Sequence, residues 1–502
     1  MQLELGFGLS KYAGFIIYLG AFAVMFLTLF RRIEYGIFFL VPFLPLQNVL
    51  DYTNAYPGGK DINDLMLLCL LIRWIIDRKK GWIQNPARRW KKGDRFFVQS
   101  PLNLPLALFV LWTLVELFRG ASYLGWPMPT SFADPRVVAW KISLMVIILF
   151  LIVLNNIKNP RHMQLLVLIM TFSLLSLDRN FYNATKEQDM TEYSNWRFSA
   201  TGQALGGNAL AVFQGQYCVM LMFMWFAEEQ RWKKILFGFT SLFTFYCVMF
   251  SFSRSGYLAV VVTLIFLGVV KDRRILIGLV VAGLCWQVVL PKAVQQRITM
   301  TKSEDGVYDQ TVMERVGMWE LAKGIVSSRP VAGAGYGVTP FLNIRVNGFT
   351  YTWASFHSAY VETAVELGLF GLGLQLLVFI IGGICGFRLY LLAPDKFLQA
   401  LGLSCASITL GVLAGNLAGT YWTYMSVMGF YWVILAMVLR SLSTLKEETA
   451  TATATAEVAA NNRLAGWLLP EPVTVLPELE PAYRANGETQ LHPRVLNGVH
   501  KK

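Results

Sequence analysis

Hydrophobic residues occur in blocks of roughly 17 to 20, the length of helix that crosses about 30 Å of hydrocarbon. These blocks are continuous rather than alternating, which favours helices over the strands of a membrane barrel. Pro42 and Pro45 interrupt the second block, so the number of spans is twelve if that block is re-entrant and thirteen if it crosses. The pattern predicts an all-α polytopic membrane protein with segments at 12–30, 35–50, 62–76, 102–118, 137–154, 163–177, 208–226, 234–250, 255–270, 275–290, 367–387, 398–416 and 423–439.

The orientation of these spans follows from the basic residues between them. Residues 77–99 contain eight lysines and arginines, and such loops stay in the cytoplasm. Alternation from this anchor predicts further cytoplasmic loops that are short and basic, at 155–162, 227–233, 271–274 and 388–397. The side on which the N-terminus lies depends on whether there are twelve or thirteen spans.

Three features then fall on the outer side: a loop at 178–207, the turn SFSRSG at 251–256, and the longest loop, at about 291–363. Within the last, residues 312–328 are predicted to form an amphipathic helix that ends before Pro330 and a glycine-rich stretch. We expect residues 1–440 to form a transmembrane catalytic domain. Residues 441–502, with a Thr–Ala alternation followed by prolines and charges, are predicted to be a disordered cytoplasmic tail.

Composition agrees with a membrane protein: 55% of the residues are hydrophobic and only 15% are charged. The net charge of +13 is explained by basic cytoplasmic loops better than by nucleic-acid binding. All six cysteines fall inside apolar segments, without the spacing of a zinc site, and are predicted to be packing residues.

His357 is the one histidine of four that the topology places on the outer face. If the chemistry there needs a base near neutral pH, His357 is the histidine that could supply it. It is predicted to precede a helix capped by Ser355 or Ser358, whose dipole would keep the imidazole neutral. The alternative is a surface histidine at a junction between loop and helix.

Two arginines stand out on the same side. Arg254 lies at the mouth of two consecutive spans, where an arginine either has a task or reaches to the membrane interface. Arg315 and Trp319 are four residues apart and share a face of the predicted amphipathic helix, which Lys323 continues. The rigid fork of arginine suits bidentate phosphate binding, although such a stripe is also typical of a solvated helix face.

The acidic residues give weaker indications. Glu362 and Glu366, one helical turn apart, could orient a catalytic partner, but a structural role at the start of a helix is favoured. Glu304, Asp305 and Asp309 form the nearest approach to a metal site and are better interpreted as a solvated acidic turn. No metal or other cofactor is predicted.

Taken in order, these motifs resemble the superfamily of O-antigen ligases and O-antigen polymerases (the WaaL and Wzy type). The resemblance covers roughly residues 195–440. The strings that carry it are SFSRSG at 251–256, Arg315-xxx-Trp319, RPVAGAGYG at 329–337 and HSAYVETAVELGLFGL at 357–372. The last is the most specific of the four.

The resemblance implies a metal-independent, inverting glycosyltransferase of the inner membrane, similar in architecture to membrane glycosyltransferases of the GT-C type. It implies that a glycan passes from undecaprenyl diphosphate to an acceptor hydroxyl of a glycan, lipid A-core or protein at the periplasmic or exterior face. By position, Arg254 and Arg315 would bind the diphosphate and His357 would be catalytic. Tyr360, Glu362 and Trp319 would support them.

Other functions stay open at this level. Ligation, polymerisation and protein O-glycosylation share these motifs and cannot be separated by them. A flippase for lipid-linked oligosaccharides would also need basic residues in the membrane, but it would carry charge along a central path. Here the ionisable residues of the spans, among them Arg73, Glu116 and Lys141, are few. The sequence leaves the sugar, the acceptor and the oligomeric state undetermined.

Overall fold

The structure is a computed structural model of the 502-residue chain. It describes residues 12–84, 97–187, 191, 206–299, 310–342, 344–346, 349–351 and 355–468.

The described chain is almost entirely helical. In chain order its helices are α1 (Ala13–Phe30), α2 (Ile33–Phe43), α3 (Gln47–Leu50), α4 (Ile62–Gln84), α5 (Asn103–Leu124), α6 (Pro135–Asn156), α7 (Pro160–Thr185), α8 (Gly207–Ala227), α9 (Arg231–Phe250), α10 (Arg254–Val270), α11 (Arg274–Leu284), α12 (Trp286–Val289), α13 (Lys292–Thr299), α14 (Gln310–Ser328), α15 (Ala359–Leu392), α16 (Lys396–Gly415) and α17 (Met425–Leu468). All thirteen predicted apolar segments lie on these helices, and α14 confirms that residues 312–328 are helical.

Nine helices in the described ranges are long and apolar enough to cross a membrane, by length and composition. A tenth span results if the bent pair of helices at Ile33–Phe43 and Gln47–Thr53, which meet at 107°, is counted as one. The prolines at 42 and 45 explain this break, since proline removes a backbone donor and clashes with the preceding turn. The predicted fold class, a polytopic all-α membrane protein, is confirmed, but the nine or ten helices of this kind in the described ranges are fewer than the twelve or thirteen spans predicted. Two of the predicted segments lie on the shorter apolar helices Arg254–Val270 and Arg274–Leu284.

Two features depart from the predicted pattern. A short antiparallel hairpin, β1 (Ile344–Val346) and β2 (Phe349–Tyr351), lies in the long loop before α15. Helix α17 continues to Leu468, past the boundary predicted at residue 440, and its Thr–Ala alternation is compatible with this because alanine is the strongest helix former. The remainder of the predicted tail, 469–502, lies outside the described residues.

The interior of the unit that ends at Glu447 is built around α8, α16 and the first part of α17, which are its most enclosed long helices. Helix α15 packs on α16 and α5, and α10 packs on α8 and α16. Peripheral helices such as α1, α9 and α11 expose large apolar side chains, as lipid-facing helices do. This arrangement brings the starts of α4, α8 and α17, the first half of α6 and part of α14 to one cavity.

Candidate active site

A cavity of about 870 Å³ lies among these helices, the loop before α15 and the connection from α16 to α17. Both Arg315 and His357 line it, so the structure brings together two residues that the sequence singled out separately. By the alternation of the spans, the contributing loops all belong to the side predicted to be outside.

Helix α14 places Arg315 by docking against the start of α15. Met318 and Ala322 of α14 are buried in a small apolar cluster with Phe356 and Val365. Arg315 is half-buried one turn before this contact and reaches the cavity. The apolar side chains Met318 and Ala322 of α14 therefore pack on protein.

Trp319 links α14 to the loop that precedes α15. Its indole N–H donates to the Phe356 carbonyl at 2.9 Å, while the ring remains 41% exposed. This bond ties the helix that carries Arg315 to the residue immediately before His357. Through this bond, Trp319 can fix the positions of Arg315 and His357 relative to each other, which is a supporting role of the kind predicted.

His357 has a left-handed backbone, with φ of 51°. Only a few per cent of non-glycine residues adopt such a conformation, and it persists where the surroundings hold it. Phe356 on one side is fully buried, and the His357 N–H donates to Ser355 Oγ at 3.2 Å. His357 itself is exposed to the cavity. The loop is thus anchored on both sides of an accessible imidazole.

Glu362 acts on the same loop from the first turn of α15. Ser355 Oγ donates to Glu362 Oε2 at 3.1 Å and also contacts Thr420 Oγ1 at 3.2 Å. Since Ser355 Oγ accepts the N–H of His357, the carboxylate supports the histidine backbone through one hydroxyl. Glu362 is not among the described residues that line the large cavity.

The predicted helix caps differ in detail. Ser358 occupies the N-cap position of α15 with an extended backbone, but its hydroxyl makes no capping bond. The Ala359 N–H instead donates to the carbonyls of Asn416 and Gly419, at 3.0 and 2.9 Å. Tyr360 donates its hydroxyl to the Leu413 carbonyl at 2.7 Å, so it joins α15 to α16 and does not line the cavity.

Arg254 begins α10 and is not among the described lining residues of the cavity. Its turn is nevertheless connected to the cavity wall. Ser253, fully buried, donates to Asn208 Oδ1 at 2.9 Å, and Asn208 lines the cavity. Phe252 has φ of 52°, and its carbonyl accepts from Arg297 Nε at 3.2 Å. Sequence reasoning missed Arg297, which supports this strained turn.

A second group of charged lining residues was not predicted as part of a site: Lys60, Asp61, Asp64 and Lys141. The first three precede or begin α4, and Lys141 lies in α6, where it forms an ion pair with Asp64. A lysine inside an apolar segment was the available signal. Its partner could not be identified, because the two residues are far apart in the sequence.

The glycine-rich stretch serves a structural purpose. The N–H groups of Ala334, Gly335 and Tyr336 donate to the carbonyls of Val365, Glu366 and Glu116, at 2.6, 2.9 and 3.0 Å. These amides are consumed by α5 and α15, so they cannot form the anion-binding nest that such a stretch sometimes provides. Burial raises the pKa of Tyr336 above its ordinary value, and its hydroxyl bonds to that of Ser143 on α6.

The stretch also explains a break in α15 at Gly368, where φ is 68°. The Leu369 N–H donates to the Pro330 carbonyl at 2.7 Å, and Trp112 Nε1 donates to the Leu367 carbonyl at 3.0 Å. Glu366, one residue before this segment, accepts from the Thr339 N–H at 3.1 Å. The structural role favoured for Glu366 agrees with this contact.

Replacement of Gly368 by alanine should destabilise the protein strongly. A Cβ there would overlap the Val331 carbonyl oxygen, and the backbone, with φ of 68° and ψ of −175°, lies in a region that essentially only glycine adopts. We expect a loss of more than about 2 kcal/mol, since a strained backbone conformation of this kind costs of order 1–3 kcal/mol for another residue and the overlap adds to it. Gly373→Ala is the matched control, because a Cβ at Gly373 meets nothing within 4 Å. Thermal unfolding in detergent, followed by size-exclusion chromatography, compares the two variants. Equal unfolding midpoints would contradict the close contact between Gly368 and the 329–337 stretch.

Among the described residues, no group of three or more histidine, cysteine or acidic side chains could hold a metal ion. Glu304, Asp305 and Asp309 lie outside the described residues.

Residues 239–376 match the family model of the O-antigen ligases. This segment of the chain is therefore similar to the O-antigen ligases. This confirms the resemblance drawn from the motifs, and the matched segment contains Arg254, Arg315 and His357. No curated protein sequence matches the chain. The O-antigen ligase match supports an activity of the ligase or polymerase type in a multi-pass membrane protein.

Proposed function

We propose that this protein transfers a glycan from an undecaprenyl diphosphate carrier to an acceptor hydroxyl at the outer face of the bacterial inner membrane, as an O-antigen ligase or a polysaccharide polymerase. The observation that carries the proposal is the shared cavity of Arg315 and His357, both inside the segment that matches the O-antigen ligases. The cavity has the size of a ligand site, for which about 300–1,000 Å³ is common.

The reaction follows from the chemistry of these two side chains. The acceptor oxygen forms a bond to the anomeric carbon as the bond from that carbon to the diphosphate oxygen breaks. The proton of the acceptor hydroxyl passes to the imidazole of His357, and undecaprenyl diphosphate leaves with the bonding electrons. Attack opposite the leaving group inverts the anomeric centre.

Arg315 stabilises the charge that grows on the leaving diphosphate. A guanidinium donates two parallel hydrogen bonds to phosphate oxygens, and these strengthen as negative charge develops. Arg254 supplies the second cation from the first residue of α10, next to Ser253, whose hydroxyl donates to the cavity residue Asn208. With two arginines on the diphosphate, the displacement needs no divalent cation.

Transfer is therefore expected to persist in EDTA at an unchanged rate. The measurement is the rate of glycan transfer by purified protein before and after chelation, with added Mg²⁺ or Mn²⁺ as the comparison. Activity that disappears with EDTA and returns with either cation would contradict a mechanism without metal, and Glu304, Asp305 and Asp309 would be examined first.

We expect positions 254, 315 and 357 to be extracytoplasmic and positions 80, 233 and 271 to be cytoplasmic. Single cysteines at these sites, labelled with a membrane-impermeant maleimide in intact and in permeabilised cells, test this. Cys285, which is exposed in the structure, is replaced first so that it cannot contribute to the labelling. If position 315 were labelled only after permeabilisation, it would be cytoplasmic, and this would contradict a reaction at the outer face.

The experiment that tests the function as a whole is glycan analysis of a strain in which the gene is deleted. Accumulation of complete polymer on the lipid carrier indicates a ligase, and accumulation of single lipid-linked repeats indicates a polymerase. Lipid-linked glycan confined to the inner leaflet would indicate a transporter instead and would contradict glycan transfer.

A further inference from the structure

Acidic and basic side chains meet in one wall of the cavity. Its two described carboxylates, Asp61 and Asp64, come from the start of α4 and the residue before it, and Lys60 lies beside them. Lys141 of α6 forms an ion pair with Asp64, and the side chains are 50% and 36% exposed. This pair remains accessible in the wall of the cavity.

The chemistry of this wall does not suit a diphosphate. Phosphate oxygens only accept hydrogen bonds and carry negative charge, whereas this wall holds two carboxylates beside the two ammonium groups of Lys60 and Lys141 and so has no net positive charge to attract them. A carboxylate accepts and an ammonium donates, whereas each sugar hydroxyl does both. Adjacent hydroxyls of a sugar ring can donate to Asp64 and accept from Lys141, in charge-assisted bonds that are stronger than neutral ones.

A nearby aromatic ring completes such a surface. Tyr424 lines the same cavity from the connection before α17, and its side chain is 46% exposed. An exposed tyrosine offers an apolar ring face with a polar tip, which fits the mixed surface of a sugar ring. Asn63, which also lines the cavity, adds an amide that can donate and accept.

We propose that Asp64 and Lys141 form a subsite that binds hydroxyl groups of a glycan, beside the place where Arg315 holds the diphosphate. That the ligand is a glycan rests on the proposed function. In this arrangement, one part of the cavity binds the sugar and another part binds the lipid carrier. The glycan is either the one on the donor or the acceptor, since both present the same hydroxyl chemistry.

Charge reversal distinguishes this role from a purely structural one. The double variant Asp64→Lys with Lys141→Asp keeps an ion pair between α4 and α6 but exchanges the positions of donor and acceptor. If the pair is only structural, this variant should bind glycan like the wild type. If the pair binds hydroxyl groups, its glycan binding should be weaker. Asp64→Asn, of nearly the same shape, serves if the reversed protein does not fold. The control is the reversed pair Glu229→Lys with Lys396→Glu, whose ion pair is 77% and 69% exposed and belongs to a different cavity.

Binding is measured on purified full-length protein with three probes: lipid-linked glycan extracted from the deletion strain, the acceptor fraction of that strain, and undecaprenyl diphosphate without sugar. For Asp64→Asn and for the reversed pair we expect about tenfold weaker binding of one glycan probe, the effect of losing a hydrogen bond to a charged group. Binding of undecaprenyl diphosphate should be unchanged. The glycan probe that weakens identifies the source of the hydroxyls.

Three results would overturn the subsite: wild-type glycan binding by the reversed pair, an equal loss for all three probes, or no loss for any. Because binding is measured without turnover, the outcome is separable from the proposed function. If glycan binds in this way but is never transferred, the subsite is supported and the proposed transferase function is contradicted.

Discussion

Arg315→Lys is expected to lower glycan transfer by about 10²-fold or more, the scale on which removal of one donor to a developing anion acts. Lysine keeps the positive charge but loses the planar fork, so one ammonium replaces two parallel hydrogen bonds to the leaving diphosphate. Arg315 is half-buried in the cavity wall. The same exchange at Arg254 should also cause severe loss.

The measurement is single-turnover transfer from a fixed amount of lipid-linked glycan, normalised to inserted protein. Lys323→Ala is the matched control, since Lys323 is an exposed residue of the same helix and is not among the described residues that line the cavity. It should transfer at the wild-type rate. Wild-type transfer by Arg315→Lys would remove the phosphate clamp from the mechanism.

His357→Ala should slow the chemical step by roughly 10²–10⁴-fold, the usual contribution of a general base, and leave binding of the carrier largely intact. The reason is the separation of tasks: the diphosphate is held by guanidiniums, while the imidazole receives a proton. His357 sits in a left-handed backbone anchored by Ser355 and by the buried Phe356. Alanine must adopt the same backbone, so folding is checked by thermal unfolding before rates are compared.

His357→Gln separates two forms of this role. Glutamine accepts a hydrogen bond but takes up no proton near neutral pH. Activity retained by glutamine and lost by alanine would show that orientation of the hydroxyl is sufficient, and equal loss in both would show proton transfer. Binding of undecaprenyl diphosphate serves as the second readout. Near-wild-type transfer by His357→Ala would exclude the residue as base.

Local patterns predicted much of this fold. Continuous apolar blocks identified the helices because lipid requires each backbone group to be paired within its own segment. The four-residue spacing of Arg315 and Trp319 placed them on one face of α14. The structure adds what the spacing could not show, namely that the Trp319 indole bonds the Phe356 carbonyl and so links that helix to His357.

What the sequence could not supply depends on contacts between distant segments. The pairing of Asp64 with Lys141, and the joining of both to the cavity of His357, follow from how α4 and α6 pack. The break at Gly368 was hidden because a positive φ leaves no trace in hydrophobic periodicity, and the glycine stretch that satisfies the freed backbone lies far earlier in the chain. Arg254 resembles Arg315 as a motif, yet only Arg315 lines the described cavity.

Reconstituted transfer is the most direct test of the central claim, that this cavity moves a glycan from its lipid carrier to an acceptor. Purified protein in lipid vesicles is supplied with lipid-linked glycan from the deletion strain and with the acceptor fraction. The account predicts that free undecaprenyl diphosphate and glycosylated acceptor appear in equal amounts, with inverted anomeric configuration at the new bond. Passage of intact lipid-linked glycan across the vesicle membrane, without release of undecaprenyl diphosphate, would contradict it.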